Sequence, residues 1–428
     1  MTTILYNQVF TLAFILAAYI YVSRKRGNYV NGLSMWTAVM ILMYLVMPMA
    51  WVWTNPQLYY GFPKPFAINP ANFYIITLFM VSWYAAMSYG YLKGYGKRLV
   101  LFDDIRWPQV RRLSMVLLGL SILIWFIYLS IVGFETLLNP RGAYVKTRLG
   151  FGPLTFGLAA FTRLYLVTSL SVARRRIIPL IIAMSIIYVI GSKSLLVMMI
   201  IIWVLHSIVV GNRYVSFRRL VGLGIFGFAA LMGIYFMLSP SLWEGGINTI
   251  KILAGFMNFS EYNLTFAIMI DELDRFYMGK LAFENNVYSL IPRFLFPDKP
   301  LLYGHFVLAY QIFPERTAMF AGAPSFGLFG PYYADFGLFG ALILAVKTFF
   351  YAYILGAAER SLKERANPFY FMIFLSLASI PMFSAGIGGI VMDMVNFGLI
   401  TGLYLVHRFY VYSPSAVGQP TLARSSLT

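Results

Sequence analysis

The sequence predicts an all-α polytopic membrane protein with about 11 transmembrane helices and one long extramembrane loop. Of its 428 residues, 60% are hydrophobic and only 11% are charged, and the mean hydropathy is +0.74. This is far more apolar than a soluble chain of that length. A hydrocarbon core about 30 Å thick needs roughly 20 apolar residues per helix, and such runs recur along almost the whole chain. No cysteine is present and the three histidines are scattered, so no disulfide framework or metal site is expected.

The apolar runs can be placed in order along the chain. They lie near 4–22, 33–53, 71–92, 113–133, 153–173, 177–191, 194–210, 220–238, 331–356, 368–386 and 391–411. The first run is too long for the apolar part of a signal peptide and has no basic segment before it, so it is expected to be a retained helix. The predicted organisation is eight helices in 1–238, a long loop at 239–330, three helices in 331–411 and a cytoplasmic tail at 412–428.

Basic residues follow every odd-numbered run, which predicts the orientation of the chain because cytoplasmic loops retain lysine and arginine. The N-terminus is then expected outside and the C-terminus in the cytoplasm. This bias accounts for most of the net charge of +18, so nucleic-acid binding is not expected. The clusters are Arg24, Lys25 and Arg26; Lys93, Lys97, Arg98, Arg106, Arg111 and Arg112; Arg174, Arg175 and Arg176; Arg213, Arg218 and Arg219; and Arg360, Lys363 and Arg365.

The remaining cations are concentrated in three outer segments. The first is the short basic loop at 134–152, which contains NPRGAYVKTRLGFGP, and the second is the GSKS turn. The third is the loop at 239–330, which contains YSLIPRFLFPDKP and is expected to form interfacial or re-entrant helices. Loops this long are usually functional or disordered, and the aromatic content argues against disorder. The long loop holds six of these cations, and the candidate site residues among the three segments are Arg141, Lys146, Arg148, Lys193, Arg293 and Lys299.

Cations on the outer side point to an anionic ligand with a lipid tail. An arginine fork binds phosphate in a bidentate manner, and lysine supplies a point charge for the same anion. The prolines around Arg293 and Lys299 would hold the loop in a binding-ready conformation. The alternative is that these two cations contact lipid headgroups or pair with Asp298. Arg163, inside the fifth run, is either a functional intramembrane cation or one half of a structural ion pair.

The segment PSFGLFGPYYADFGLFGAL, residues 324–342, begins the ninth run. Its glycines allow close approach of helices, which is the structural explanation. Tyr332, Tyr333 and Asp335 would lie at the outer mouth of that helix. Asp335 could orient a sugar hydroxyl there or merely neutralise an arginine.

Together, the outer basic loop, the GSKS turn, the IPRFLFPDKP element and the glycine-rich helix start resemble the bacterial O-antigen and oligosaccharide repeat-unit polymerases of the Wzy type. The resemblance covers roughly residues 135–400. It implies a GT-C-like membrane glycosyltransferase of the bacterial inner membrane, in lipopolysaccharide or related polysaccharide biosynthesis, with its active site on the periplasmic face. Such an enzyme transfers a growing glycan from undecaprenyl pyrophosphate to the non-reducing end of a lipid-linked repeat unit. No cofactor or metal is implied.

The resemblance also assigns roles to residues of this sequence. Arg141, Arg148, Arg293 and Lys299, supported by Lys193, would stabilise the departing pyrophosphate. A carboxylate base is usual when a sugar hydroxyl attacks an anomeric carbon. Asp335 and Glu284 are the first candidates for this base, because they flank the proline element and the helix start. The sequence departs from the family at Pro331, where some members carry an acidic residue. The remaining residues expected to contact substrate are Lys146, Arg163, His305, Tyr332 and Tyr333. The other outer carboxylates that could serve as the base are Glu135, Glu261, Asp271 and Glu272.

Three alternatives stay open from the sequence. An O-antigen ligase would transfer the same glycan to lipid A core, and a histidine in the long loop, here His305, is typical of that class. A transporter of lipid-linked oligosaccharide would be expected to show inverted repeats, which the sequence does not. A non-enzymatic scaffold is the third. The expected partners are the lipid-linked oligosaccharide, membrane lipids, a chain-length regulator and a flippase.

Overall fold

The computed structural model describes residues 2–49, 68–102, 110–138, 140, 152–172, 176–211, 213–237, 261–288, 291, 296–300, 302–314, 325–365, 367–383 and 389–408. Within these ranges the regular structure is entirely helical. The α-helices are α1 (Thr2–Arg26), α2 (Ser34–Val39), α3 (Asn72–Tyr95), α4 (Arg111–Val132), α5 (Gly152–Val172), α6 (Ile177–Tyr188), α7 (Lys193–Leu205), α8 (Phe217–Met237), α9 (Glu261–Glu272), α10 (Lys280–Tyr288), α11 (His305–Ile312), α12 (Gly330–Phe336), α13 (Phe339–Arg365), α14 (Pro368–Phe383) and α15 (Gly389–Val406). Helix α2 continues as a π-helical turn, Met40–Val46, and α7 as another, His206–Val210.

A helix coincides with each apolar run that the sequence predicted. Four of them, α1, α3, α4 and α13, are long and apolar enough to cross a membrane by length and composition. Shorter apolar helices lie at most of the other runs, among them α6 and α7. The all-helical class is thus confirmed, while the number of spans and the sides of the membrane stay predictions.

The ninth apolar run, expected at 331–356, is divided into α12 and α13. The break lies at Gly337, whose backbone has φ of +59° and ψ of −142°, a conformation that residues with a Cβ rarely adopt. The Gly337 amide donates to the Tyr333 carbonyl at 2.7 Å and ends α12. The long helix therefore begins at Phe339.

Helices α3 and α13 form the most closely packed pair in the described structure. A Cβ on Gly90 would overlap the carbonyl of Phe349, and one on Gly94 would overlap that of Tyr353. From the other side, a Cβ on Gly356 would meet the Tyr91 carbonyl. Small residues four apart allow such contact between helix backbones inside a membrane, where apolar side chains gain little by leaving lipid.

A buried ionic cluster joins α1, α3 and α13 at one end of the bundle. The Arg26 guanidinium donates to Glu359 Oε1 at 2.9 Å, and the side chains are 4% and 0% exposed. Glu359 Oε2 accepts from the Tyr91 hydroxyl at 2.5 Å and from the Gly32 amide at 2.8 Å. The Lys363 ammonium lies 3.3 Å from Oε1. Each oxygen of the buried carboxylate thus has two partners, as a buried charge requires.

Three further contacts bring the ends of other helices to this position. Arg98 pairs with Glu364 at 2.6 Å, and the Ser361 hydroxyl accepts from the Leu99 amide at 2.8 Å. The Asn28 side chain donates to a backbone carbonyl just after α7, at 3.0 Å. The basic segments that follow runs one, three, seven and nine thus share one end of the bundle, as the charge pattern predicted. The compartment that this end faces stays a prediction.

The opposite end holds α9 and the start of α12. Asn72, the first residue of α3, donates to the Ala267 carbonyl of α9 at 2.9 Å. The Leu328 amide donates to the Tyr44 hydroxyl at 2.8 Å. Phe266 is buried against Phe79, with ring centroids 5.7 Å apart. Helix α9 of the long loop is therefore inserted among the helices of the bundle.

Candidate functional site

Five of the predicted cations lie wholly or in their side chains outside the described residues. Arg141, Lys146, Arg148 and Arg293 lie outside the described residues, as does the side chain of Lys193. Their predicted contact with a pyrophosphate stays a prediction. The other predicted site residues are Lys299, His305, Glu284, Asp335, Arg163, Tyr332 and Tyr333, and these are described below.

Asp335 caps the N-terminus of α10 from the neighbouring helix α12. Its carboxylate is fully buried, and its two oxygens accept from the Leu281 amide at 3.0 Å and the Ala282 amide at 2.9 Å. Its backbone carbonyl accepts from the Met278 amide at 2.9 Å. The first amides of a helix lack intrahelical partners, so a carboxylate is stabilising at this position. Asp335 therefore fixes where α10 begins.

Glu284 joins the middle of α10 to the start of α11. Its Oε2 accepts from the Gly304 amide at 2.9 Å. Within the described residues Oε1 meets only the Lys280 ammonium, at 3.7 Å, and the side chain is 17% exposed. Gly304 has φ of +58°, and a Cβ there would overlap the Asn285 side chain. Only glycine therefore fits at the point where α11 meets α10.

His305 is held by Asn285 of α10. The Asn285 amide nitrogen lies 3.1 Å from His305 Nδ1, and the imidazole packs on Phe306 with ring centroids 4.4 Å apart. Burial lowers the pKa of His305 to about 4, so the ring is neutral at pH 7. With the amide donating to Nδ1, the imidazole proton is on Nε2.

Lys299 lies on the turn of the proline element. Its ammonium donates to the Ile291 carbonyl at 3.1 Å and lies 4.8 Å from the centre of the Tyr303 ring. Asp298 beside it is exposed. The carbonyl and the ring hold the lysine against its own loop, as expected for a stiff, proline-bordered turn.

Tyr332 and Tyr333 belong to the packed interior rather than to an open surface. Tyr332 is 1% exposed, and the Lys347 ammonium lies 5.9 Å from its ring. Tyr333 is half-buried, with edge contacts to Phe266 and Phe276 at 5.7 Å. Both tyrosines thus position α12 against its neighbours. A direct contact with substrate stays a prediction for either of them.

Arg163 faces a cavity between α5, α7, α14 and α15. The cavity has a volume of about 50 Å³ and is lined mainly by apolar side chains, with Ser376 among the polar ones. The guanidinium Nε donates to the Ala159 carbonyl at 3.4 Å. A volume of this size holds roughly three to five water-sized groups. An arginine beside such a space is the usual arrangement for a cation at membrane depth.

The structure brings four of the predicted residues together through hydrogen bonds and turns. Asp335 fixes α10, Glu284 of α10 fixes Gly304, and His305 follows immediately; Lys299 adjoins the same turn through Tyr303. Arg163 belongs to a separate set of helices. Sequence reasoning missed Asn285 and Gly304. Gly304 carries only the modest preference of glycine for the N-cap position, and no local signal marks Asn285.

The geometry separates the two carboxylates that the sequence ranked first. Both oxygens of Asp335 accept backbone hydrogen bonds, and the side chain is fully buried, so the carboxylate is not open to solvent. Glu284 has one oxygen so engaged and one beside an ammonium group. A general base needs a lone pair within hydrogen-bond reach of the proton that it accepts. Glu284 meets that requirement better than Asp335.

The helices and their composition define an integral membrane protein, and its curated relatives agree. The chain is 26% identical over 383 residues to proteins named O-antigen polymerase from Salmonella typhimurium and Salmonella typhi. The match covers 88% of this chain and 89% of each relative. No family model and no solved structure matches.

Similarity over nearly the full length of both chains supports assignment to the O-antigen polymerase family, which is the family that the motifs resemble.

Proposed function

We propose that this protein is a polysaccharide polymerase of the bacterial inner membrane. It transfers a growing glycan from undecaprenyl pyrophosphate to the non-reducing end of a lipid-linked repeat unit at the periplasmic face. The observation that carries the proposal is the similarity to O-antigen polymerases over 88% of the chain. A chain-length regulator and a flippase are the expected partners.

In this proposal the outer cations stabilise the leaving group. As the bond between the sugar and the pyrophosphate breaks, negative charge develops on the departing oxygen. Preorganised cations stabilise that charge in the transition state more than in the ground state. Arg141, Arg148 and Arg293 take this role with Lys299 and Lys193, and Lys146 helps to bind the diphosphate. Arg163, beside the cavity between α5, α7, α14 and α15, is proposed as a further cation for the substrate.

The acceptor hydroxyl must lose a proton as it attacks the anomeric carbon. Glu284 accepts this proton in our proposal, because its Oε1 is the less engaged oxygen. Asp335 has the structural role of holding the start of α10 in place. His305, neutral at pH 7 with its proton on Nε2, is a hydrogen-bond donor for a sugar oxygen. These roles are supported by the local geometry of α10 and α11.

The proposal is tested by deleting the gene and examining the lipopolysaccharide of the host on a gel. Loss of polymerase leaves lipid A core capped with a single repeat unit, whereas loss of a ligase leaves it uncapped. Complementation with Arg293→Ala or Arg141→Ala is expected to keep the single-unit phenotype at normal protein level. Arg218→Ala is the matched control, because this exposed arginine belongs to a cluster predicted on the other side. An uncapped core in the deletion strain refutes the polymerase.

A further inference from the structure

A group of aromatic rings surrounds the turn that contains Lys299. The rings of Tyr288 and Phe296 lie nearly parallel, at 15°, with centroids 6.4 Å apart. Tyr303 meets Tyr288 edge-on at 5.5 Å, and Phe306 meets Tyr303 at 6.2 Å. Phe296 is 37% exposed, and both tyrosines are half-buried. We name Tyr288, Phe296 and Tyr303 the aromatic platform.

The aromatic platform has polar groups at its edge. The Lys299 ammonium lies over the Tyr303 ring, and the Asp298 carboxylate is exposed on the same turn. A pyranose ring presents C–H groups on its face and hydroxyls around its rim. Flat aromatic faces bordered by donors and acceptors match this pattern, since each ring buries apolar surface while the edge groups bind hydroxyls.

The platform is held in place before any ligand binds. Tyr288 is the last residue of α10, which Asp335 caps, and Tyr303 directly precedes Gly304, which Glu284 holds. Pro297 and Pro300 restrict the backbone on both sides of Lys299. A preformed site loses less conformational entropy on binding than a mobile one.

Tyr288 of the platform shares a helix face with the carboxylate assigned as base. Glu284 and Tyr288 are four residues apart on α10 and therefore lie on one face of the helix. One turn of helix rises about 5.4 Å, so a sugar stacked on Tyr288 would lie about one helical turn from Glu284 along α10.

Exposed aromatic rings at the end of a membrane bundle also occur where proteins contact lipid headgroups. The turn carries Asp298 beside Lys299, so it lacks the cluster of cations that anionic headgroups favour. A hydroxyl-rich glycan can use both groups, the carboxylate as an acceptor and the ammonium as a donor.

We propose that Tyr288, Phe296 and Tyr303 form the subsite that binds the non-reducing terminal sugar of the acceptor glycan, with Lys299 and Asp298 at its rim. This proposal rests on the polymerase function, whose acceptor is a lipid-linked oligosaccharide. It adds a binding site, and the ligand class is a pyranose-containing oligosaccharide.

The test is a binding measurement on the full-length protein in lipid nanodiscs. The probe is a mixture of one- and two-unit oligosaccharides, released by hydrolysis from the surface polysaccharide of the host and labelled at the reducing end. Tyr288→Ala and Phe296→Ala are each expected to weaken binding at least about fivefold, because each removes an aromatic face from the contact. Phe296→Trp keeps a flat ring and should retain affinity within about twofold.

Phe283→Ala is the matched control: it removes a ring that is 67% exposed on the same helix but outside the platform. Its affinity should equal that of the wild type. Affinity of Phe296→Ala equal to that of the wild type overturns the proposal, as does absence of wild-type binding at millimolar probe.

A second measurement separates glycan from lipid. The chain has no cysteine, so Asp298→Cys provides a single site for a polarity-sensitive fluorophore. Quenching by lipids with a quencher in the headgroup region would place the turn against the membrane and refute the glycan site. Quenching by a water-soluble agent, with protection by the oligosaccharide, supports it.

The same variants separate this site from the polymerase function itself. If wild-type protein restores chain lengthening in the deletion strain while platform variants bind the probe normally, the site is wrong and the function stands. If the platform variants lose binding but the deletion strain shows an uncapped core, the glycan site stands and the polymerase function is wrong.

Discussion

Replacing Glu359 with alanine is expected to destabilise the protein strongly. The change removes the carboxylate that pairs with Arg26, whose side chain is only 4% exposed. It also leaves the Gly32 amide and the Tyr91 hydroxyl without the acceptor that they now share. Breaking a buried ion pair by removing one partner costs about 3–5 kcal/mol, because the remaining charge stays buried.

The corresponding shift in melting temperature can be estimated from chain length. An unfolding entropy of ~2.1 cal/mol/K per residue gives roughly 0.9 kcal/mol/K for 428 residues. A loss of about 3–5 kcal/mol then lowers Tm by roughly 3–6 °C. Tryptophan fluorescence during heating of the detergent-purified protein measures this directly.

Two further variants show whether the buried charge is the cause. Glu364→Ala removes a carboxylate from the next turn of α13 that pairs with exposed Arg98, and should cost no more than about 1 kcal/mol. The double variant Arg26→Met with Glu359→Leu removes both charges and should recover much of the lost stability. The reasoning is refuted if Glu359→Ala melts like Glu364→Ala, or if the double variant is no more stable than Glu359→Ala.

Three other predictions follow from close contacts and burial. Gly94→Ala should lower the free energy of unfolding by about 1–3 kcal/mol, because its Cβ would overlap the Tyr353 carbonyl. Gly119→Ala has open space around its Cβ, so it should be neutral or stabilising, and thermal melting compares the two variants. Asp335→Ala should lower the free energy of unfolding by roughly 1–3 kcal/mol, and Asp335→Asn by less, because asparagine keeps one acceptor for the amides of α10. Equal melting temperatures of the two variants would contradict the role of Asp335 as the cap of α10. The lowered pKa of His305 means that the unfolded state binds a proton more readily than the folded state. The free energy of unfolding should therefore fall by at most ~3 kcal/mol as the pH drops from 6.5 to about 4. The variant His305→Gln should lose this pH dependence of Tm.

The helices were predictable because their signal is local. Each apolar run is long enough to bury itself in hydrocarbon regardless of its neighbours, and helices appear at all the predicted positions. The division of the ninth run at Gly337 was not predicted. Hydropathy averages over many residues, and a single glycine with positive φ does not alter that average.

The candidate site was only partly predictable. The sequence selected Glu284, Asp335, His305 and Lys299 as polar groups in an apolar setting, and the structure brings them into one connected arrangement. The sequence could not show that both carboxylate oxygens of Asp335 accept hydrogen bonds from the backbone of α10. That depends on where α12 docks, which no local pattern encodes.

By itself, the sequence determined the membrane class, the positions of the helices, the shared end of the basic segments and the family resemblance. These properties follow from hydropathy and charge, which act on each segment independently of its partners. The tertiary structure alone decided that Arg26 pairs with Glu359, 333 residues away, and that Tyr288, Phe296 and Tyr303 meet around one turn. Such contacts depend on the packing of distant backbone segments, since a side chain has no partner until the helices that carry it are docked.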